Sequence, residues 1–174
     1  MSETRKARMT HVDGSGRVKM VDVGEKEVTR RRAVAEGRIS TSAEAVAQVL
    51  ESRAAKGDVL AAARIAGISA AKRTSEWIPL CHSVPIDSVG VEIRPVEGAD
   101  GEDSSEGDWK GPGFVVKAEA VATGRTGVEM EALTAVSGTL LTLYDMLKAV
   151  DRAMEIGGVR LLLKEGGRSG RWTR

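Results

Sequence analysis

The stretch that decides the fold is TGVEMEALTAVSGTLLTLYDMLKAVDRAM, from Thr126 to Met154. It contains no proline, and its apolar residues recur every three or four positions, at Leu133, Val136, Leu140, Leu143 and Leu147. This spacing predicts one long amphipathic helix. Thr126 followed three positions later by Glu129 has the form of a capping box, which predicts that the helix begins there. We expect this helix to be mostly buried and to form the wall of a site.

Four charged side chains lie within this apolar stretch, namely Glu129, Glu131, Asp145 and Lys148. Charged groups on a mostly buried helix need partners or a task. Asp145 and Lys148 share a face, so they form either an acid/base pair, with both pKa values moved towards neutrality by burial, or an ordinary helical salt bridge. Glu131 lies about 21 Å from Asp145 along an ideal helix, too far for one small ligand. Either the two serve different sites, or a second subunit brings complementary ends together; symmetric association favours the second.

The composition bounds the class of protein. The 174 residues suffice for one core, and 26 Lys and Arg against 25 Asp and Glu leave a net charge of +1. Near-neutral charge and 3% aromatic residues argue against a nucleic-acid-binding domain. One cysteine excludes an intramolecular disulfide framework and favours a reducing cytoplasm. No apolar run predicts a membrane span, and the first residues do not resemble a signal peptide.

The first half of the chain predicts a hairpin, a strand and two helices. His11 to Val23 can form the small hairpin, with turn chemistry at Asp13-Gly14. Val28 to Ile39 is the strand; its three consecutive arginines, Arg30 to Arg32, indicate either a solvated edge strand or contact with an anion or a neighbouring subunit.

The first helix should begin at the capping box Thr41–Glu44 and end before Gly57. Asp58 should cap the second, which runs towards Trp77 and is rich in alanine, so another element can approach it closely. Lys56 lies in the junction, where it is either an ordinary charge at a helix end or part of an anion site.

A proline-framed loop follows, containing Leu80, Cys81 and His82. A cysteine beside a histidine suggests a nucleophile or a metal ligand, but one cysteine and two histidines are too few for a zinc site, and a lone cysteine is usually a small buried hydrophobe. His82, near Lys72 and Arg73, is the better candidate for binding or protonating an anionic ligand.

The second half predicts a sheet. Ser88–Val96 and Phe114–Ala122 should pair as antiparallel strands on either side of an acidic, glycine-rich hairpin tip, and Val159–Lys164 should form the last strand. The glycines beyond Lys164, with Arg168 and Ser169, form either a nest of N–H groups for phosphate or a flexible tail.

Several long motifs resemble one family. They are MVDVGEKEVTRR, KGDVLAAARIAGISAAKRTSEWIPLCH, TGRTGVEMEAL, LYDMLKAV and VRLLLKEGGRSG, in that order, between about Val18 and Gly170. Together they resemble the cyclic pyranopterin monophosphate synthases, the MoaC family (protein C) of molybdenum cofactor biosynthesis. The acidic hairpin at 97–113 looks like an insertion beyond the family core. We therefore expect a flexible tail at 1–17, one catalytic α+β domain at 18–170 and a C-terminal tail at 171–174.

The resemblance implies a ferredoxin-like α+β fold, an antiparallel sheet covered by helices, in a homohexamer built as a trimer of dimers with active sites at the dimer interface. It implies a lyase that converts 3′,8-cyclo-7,8-dihydroguanosine 5′-triphosphate, a small molecule derived from GTP, into cyclic pyranopterin monophosphate and pyrophosphate. No firm cofactor, metal site, nucleic acid or membrane is implied; Mg²⁺ can accompany the triphosphate.

On the matching positions, the resemblance implies that Asp145 is the catalytic acid/base with Lys148 beside it. It implies substrate contacts by Leu80, Cys81, His82, Met130 and Glu131, and a charged pocket completed by Lys56 and Lys164, with Glu129 close by. The alternative function is a non-catalytic oligomeric module that senses an anionic nucleotide. Such a module would keep the cations and have no use for Asp145.

Overall fold

The computed structural model describes residues 15–97 and 111–174. Its elements, in chain order, are β1 (Thr29–Ser40), α1 (Ala43–Leu50), α2 (Val59–Ala71), α3 (Thr74–Trp77), β2 (Ile86–Glu97), β3 (Pro112–Gly124), α4 (Glu129–Leu147), β4 (Glu155–Glu165) and β5 (Trp172–Thr173). Of the predicted hairpin near the N-terminus, residues 19–23 are not in a strand and Val18 makes a single bridge, whereas His11–Gly14 lie outside the described residues.

The described strands form one antiparallel sheet in the order β2-β3-β1-β4-β5. Its first four strands alternate with helices in the β-α-β-β-α-β order of a ferredoxin-like fold, and α4 packs across β1, β3 and β4. The expected α+β class, with an antiparallel sheet covered by helices, is confirmed. The predicted pairing of β2 with β3 and the last predicted strand, now β4, are also confirmed. The short β5, at positions expected to be a tail, was not predicted.

β1 is a central strand, so its interpretation as a solvated edge strand is wrong. It pairs with β3 on one side and β4 on the other. Ala33, Ala35 and Ile39 point to the helices and are at most 1% exposed. On the opposite face Arg32 forms ion pairs with Glu119 of β3 and Glu165 of β4, so oppositely charged side chains on three adjacent strands neutralise one another.

α4 is shorter than predicted at both ends. It begins at Glu129 with Val128 as N-cap and no side-chain capping bond, so the capping box from Thr126 to Glu129 is wrong. It ends at Leu147, and Met154 lies just before β4. The predicted apolar stripe is confirmed, since Val136, Leu140, Leu143 and Leu147 are at most 1% exposed.

The predicted N-cap is confirmed for α2 but not for α1. Asp58 caps α2 as predicted, because its side chain accepts from the Ala61 N–H at 2.9 Å. The first helix is capped by Ser42 rather than Thr41, whose hydroxyl donates to Asp151 at 3.0 Å. The second predicted helix is divided, since α2 ends at Ala71 and the short α3 follows.

The close approach predicted for the alanine-rich helix occurs between α2 and α4. A Cβ placed on Gly67 of α2 would overlap the Thr139 hydroxyl and lie 2.8 Å from the Ala135 carbonyl oxygen. A Cβ placed on Gly138 of α4 would lie 2.6 Å from the Cβ of Ala70. The two helices therefore touch through backbone, which fixes α4 over the sheet. No helix within the described residues is long and apolar enough to cross a membrane.

Candidate active site

The C-terminal end of α4 carries three of the predicted site residues. Asp145 Oδ1 lies 2.7 Å from Lys148 Nζ, and Asp145 Oδ2 lies 3.0 Å from Lys56 Nζ. Lys56 is brought there by the junction between α1 and α2, and its ammonium also donates to the main-chain carbonyl oxygen of Asp145 at 2.6 Å. The structure therefore brings Lys56, Asp145 and Lys148 together, although only the pair Asp145 and Lys148 could be read from helical spacing.

The expected burial of this cluster is wrong in the single chain, where all three side chains are exposed. The pKa of Asp145 is lowered, chiefly by its hydrogen bond with Lys148 and then by that with Lys56. The opposite shift, towards neutrality, was predicted from burial. Asp145 is consequently a carboxylate at neutral pH, suited to accepting a proton and to orienting two ammonium groups.

Near the N-terminal end of α4 lies a buried carboxyl group. Glu131 is 2% exposed; its Oε1 lies 3.8 Å from the Cys81 sulfur, and its Oε2 has no hydrogen-bond partner among the described residues. Burial raises the pKa of Glu131, and the charge of Glu129 raises it further. Burial disfavours the ionised form of this carboxyl group, which suits it to donating a proton.

The LCH loop supplies the thiol. Leu80, Cys81 and His82 are each half-buried just after α3. The pKa of the Cys81 thiol is raised to about 11, first by burial and then by the nearby Glu131 and Glu129 carboxylates. Cys81 is thus a neutral thiol at physiological pH, unsuited to acting as a nucleophile. Met130 is half-buried between the two glutamates.

A cavity of about 820 Å³ lies beside this end of α4. Its lining joins the start of α4, the chain before β1 and the loop after β4. It consists of Asp22, Glu25, Lys26, Glu27, Thr29, Arg31, Arg125, Thr126, Gly127, Glu129, Lys164, Glu165, Gly166, Gly167, Arg168 and Ser169. The structure therefore brings the predicted residues Glu129 and Lys164 together. Lys72 and Arg73 are exposed at the end of α2 and do not line this cavity.

The cations of this cavity are not neutralised by ion pairs. Five line it, namely Lys26, Arg31, Arg125, Lys164 and Arg168, and within residues 15–97 and 111–174 none has a carboxylate partner in salt-bridge range. Five carboxylates also line the cavity, so its formal charge is balanced. Glu165, however, is paired with Arg32 and Arg171 instead. The arrangement leaves several cationic donors available to an anionic ligand.

Two buried polar groups face the same space. Arg31 is 9% exposed, and its one hydrogen bond in the described part of the chain runs from Nε to the Gly124 carbonyl oxygen, at 3.3 Å. The Thr29 hydroxyl is buried and has no hydrogen-bond partner in the part of the chain that the structure describes. Leaving such groups unpaired costs free energy, about 1–3 kcal/mol for a neutral group and more for a charged one. A ligand that accepts hydrogen bonds would satisfy both.

The sequence did not mark Lys26, Thr29 or Arg125 as site residues, and Arg31 was considered only among the three arginines, Arg30 to Arg32, that could contact an anion or a neighbouring subunit. One signal for Arg31 was present: Ala33, Ala35, Gly37 and Ile39 alternate as the inward face of β1, and the same period puts Arg31 on that face. An arginine on the buried face of a strand is unusual and deserves a functional hypothesis. The other three reach the cavity through tertiary structure, and no sequence pattern marks them.

Within one chain the two ends of α4 carry separate groups. Glu131 and Asp145 lie fourteen positions apart on this helix, about 21 Å at 1.5 Å per residue. The Lys56–Asp145–Lys148 cluster and the cavity near Glu131 are therefore too far apart for one small ligand in a single chain. Both residues belong to one continuous helix, as predicted from the sequence.

Comparison with known proteins points to a single family. The MoaC family model matches residues 20–167. A cyclic pyranopterin monophosphate synthase of Brucella ovis is 54% identical to this chain over 166 residues, which are 95% of this chain and 93% of that protein. A protein of the same name from Cereibacter sphaeroides is 56% identical over 164 residues, covering 94% of this chain and 96% of that protein.

Proposed function

Because this chain belongs to the MoaC family, we propose that it is a cyclic pyranopterin monophosphate synthase of molybdenum cofactor biosynthesis. The reaction converts 3′,8-cyclo-7,8-dihydroguanosine 5′-triphosphate into cyclic pyranopterin monophosphate and pyrophosphate, and its class is that of a phosphorus–oxygen lyase. The structural observation that supports this function best is the cavity whose five cations form no ion pair with the described residues. A triphosphate is the part of the substrate that such a cavity suits.

Expulsion of pyrophosphate requires a site that stabilises negative charge. Attack of a ribose hydroxyl on the α-phosphorus expels pyrophosphate, and charge develops on the phosphate oxygens during the step. Cationic donors held in place before the reaction stabilise that charge without reorganisation. Lys164, Arg168 and the buried Arg31 are the cavity cations that we assign to this task, and Lys164 is held by a hydrogen bond to the Ser169 hydroxyl.

Rearrangement of the purine-derived ring requires several proton transfers. Asp145, which is ionised at neutral pH, is the proposed base, and Lys148 and Lys56 are ammonium donors held against it. Glu131, whose pKa is raised, is the proposed acid. Substrate contacts are assigned to the LCH loop residues Leu80, Cys81 and His82, to Met130 and to Glu129. Lys72 and Arg73 are exposed and do not line the cavity, so we assign them separately to contacts with the outer phosphates of the substrate.

A second copy of the chain completes the site in this proposal. Symmetric pairing places the Lys56–Asp145–Lys148 end of one α4 near the cavity of its partner, which removes the separation of about 21 Å within one chain. Three such dimers form the proposed hexamer. Pairing would also bury the exposed ion pairs and strengthen them, because the local dielectric falls.

The cofactor requirement is also a proposal. Within the described residues no group of three or more His, Cys, Asp or Glu side chains is arranged to hold a metal ion. We therefore assign any Mg²⁺ to the triphosphate, as part of the substrate. The single cysteine supports a cytoplasmic setting.

The experiment is single-turnover release of pyrophosphate from the cyclised GTP intermediate, comparing the parent with Asp145→Asn. Glu51→Gln is the matched control, since it removes an exposed carboxylate that is also ion-paired, to Arg53. We expect release by the parent and the control and none by Asp145→Asn, with substrate binding retained. Release by all three would remove Asp145 from the mechanism. Release by none, from a folded oligomer, would favour the nucleotide-sensing module.

A further inference from the structure

The buried guanidinium of Arg31 has no carboxylate to hold it. Its Nε–H donates to the Gly124 carbonyl oxygen at 3.3 Å, and no ion pair involves it within the described residues. A cation with few partners has several rotamers of similar energy, and it binds an anion well only if it is held in one of them. Some other contact must therefore fix its orientation.

That contact is the backbone of Gly167. A Cβ placed on Gly167 would overlap Nη1 of Arg31 and would lie 2.8 Å from its Cζ and 3.2 Å from its Nη2. Nη1 is by far the nearest of these atoms, so the Nη1 end of the guanidinium group lies against the bare Cα. Gly166 supports the same arrangement, because a Cβ there would overlap the Arg30 carbonyl oxygen and lie 3.0 Å from the Arg31 Cδ.

We propose that Gly167 is a positioning residue that acts through Arg31: the missing side chain leaves room for the Nη1 end of the guanidinium group, which holds the group in the cavity that receives the phosphates of the substrate. The inference rests on the proposed function, because it assigns the polyphosphate to the cavity that Arg31 lines. It predicts that an added methyl group at position 167 weakens anion binding without touching the anion.

A purely conformational role for the glycine is the competing explanation. Gly167 has a φ of +71°, which disfavours any other residue. Gly170, in the same loop, has a φ of +61° and no heavy atom within 4 Å of an added Cβ. Gly170→Ala therefore reproduces the backbone strain of Gly167→Ala and leaves Arg31 undisturbed, which makes it the matched control.

The first measurement is the binding of inorganic tripolyphosphate to the full-length protein by titration calorimetry. We expect Gly167→Ala to weaken binding about tenfold or more, the size of a lost charge-assisted hydrogen bond, and Gly170→Ala to leave it within about twofold. Equal losses in the two variants would overturn the proposal, because strain alone would then explain them.

A double-mutant cycle tests the dependence on Arg31. In an Arg31→Ala background, Gly167→Ala should have no further effect on tripolyphosphate affinity, whereas additive losses would overturn the proposal. If Gly167→Ala by itself unfolds the protein, the substitution is tested in an Arg31→Lys background instead, because a narrow ammonium needs less space beside position 167. Gly167→Ala should then fold and cost less affinity; an unchanged defect would again contradict the proposal.

The same samples separate this inference from the proposed function. Tripolyphosphate binding that depends on Gly167, in a protein that releases no pyrophosphate from the cyclised substrate, would leave the positioning role standing and remove the enzyme. Pyrophosphate release by a protein whose affinity for tripolyphosphate is insensitive to both Arg31→Ala and Gly167→Ala would keep the enzyme and remove the positioning role.

Discussion

Lys56 and Asp145 are joined at two points: the Lys56 ammonium lies 3.0 Å from the Asp145 carboxylate and 2.6 Å from its main-chain carbonyl oxygen. That carbonyl belongs to the last turn of α4, where such groups lack a partner inside the helix. One lysine therefore ties the α1–α2 junction to the end of α4 and also holds the proposed base. Lys148 approaches the other carboxylate oxygen at 2.7 Å, so Asp145 is fixed between two cations.

Removing either lysine should raise the pKa of Asp145. It is now below the ordinary value of 3.8, and the hydrogen bond with Lys148 is the larger cause. We expect Lys148→Met to raise the pKa more than Lys56→Met, and Lys117→Met, on β3, to leave it unchanged. Carbon-13 NMR titration of the side-chain carboxyl measures all three. An Asp145 that titrates identically in the parent and both variants would contradict the arrangement.

Glu131→Gln should stabilise the protein increasingly as the pH rises above 4.5. The pKa of Glu131 is raised in the folded state, so the unfolded chain releases this proton first and the parent loses stability from pH 4.5 up to the folded pKa. Glutamine at this position does not titrate, and its variant escapes that loss. Thermal unfolding from pH 4 to pH 8 tests this, with the exposed Glu76→Gln as control. A Tm difference that is constant with pH would mean that burial does not raise the pKa of Glu131.

Cys81 should react slowly with iodoacetamide. A thiol of pKa about 11 has roughly a hundredfold less thiolate at pH 8 than one at the ordinary value of 9.0, and the thiolate is the reactive form. Glu131→Gln should speed the reaction only in part, because burial is the larger cause of the shift. Since Cys81 is the single cysteine, mass spectrometry follows it without ambiguity, and the guanidinium-unfolded chain gives the reference rate. Rapid alkylation of the folded parent would contradict a buried, acid-paired thiol.

The sequence was most informative where local chemistry and tertiary structure agree. The stripe from Val136 to Leu147 and the cap at Asp58 are set by side-chain spacing and by one short-range hydrogen bond, so both were predictable. The start of α4 was not, because Val128 becomes the N-cap without any side-chain bond. Packing decides that boundary, and no local pattern records it.

The contacts within the candidate site also fall into two groups: those that local spacing predicts and those that depend on tertiary structure. Lys148 follows Asp145 at helical spacing, so their contact was readable from the sequence. The approach of Lys56 to Asp145 joins residues 89 positions apart, and the cavity gathers segments from Asp22 to Ser169. The burial of Arg31 depends on β1 being central, which the sequence did not indicate, because its arginines have the composition of an edge strand.

Gly67→Ala should destabilise the protein by overpacking the contact between α2 and α4. The added Cβ would overlap the Thr139 hydroxyl and lie 2.8 Å from the Ala135 carbonyl oxygen, and that oxygen already accepts a hydrogen bond from Thr139 at 2.8 Å. Neither atom can retreat without moving the helix, so we expect a loss of about 1–3 kcal/mol in the free energy of unfolding. Alanine would gain helix propensity at this position, about 1 kcal/mol at most, which is too little to offset the clash.

Gly90→Ala is the matched control, because a Cβ there meets no heavy atom within 4 Å. Urea unfolding of the parent and both variants at one protein concentration gives the comparison, with the midpoint expected to fall for Gly67→Ala alone. Because α4 carries Glu131 at one end and Asp145 at the other, a displaced helix should also slow pyrophosphate release. Equal stability of the two variants would show that α2 and α4 are not in backbone contact, and the position of α4 over the sheet would then need another cause.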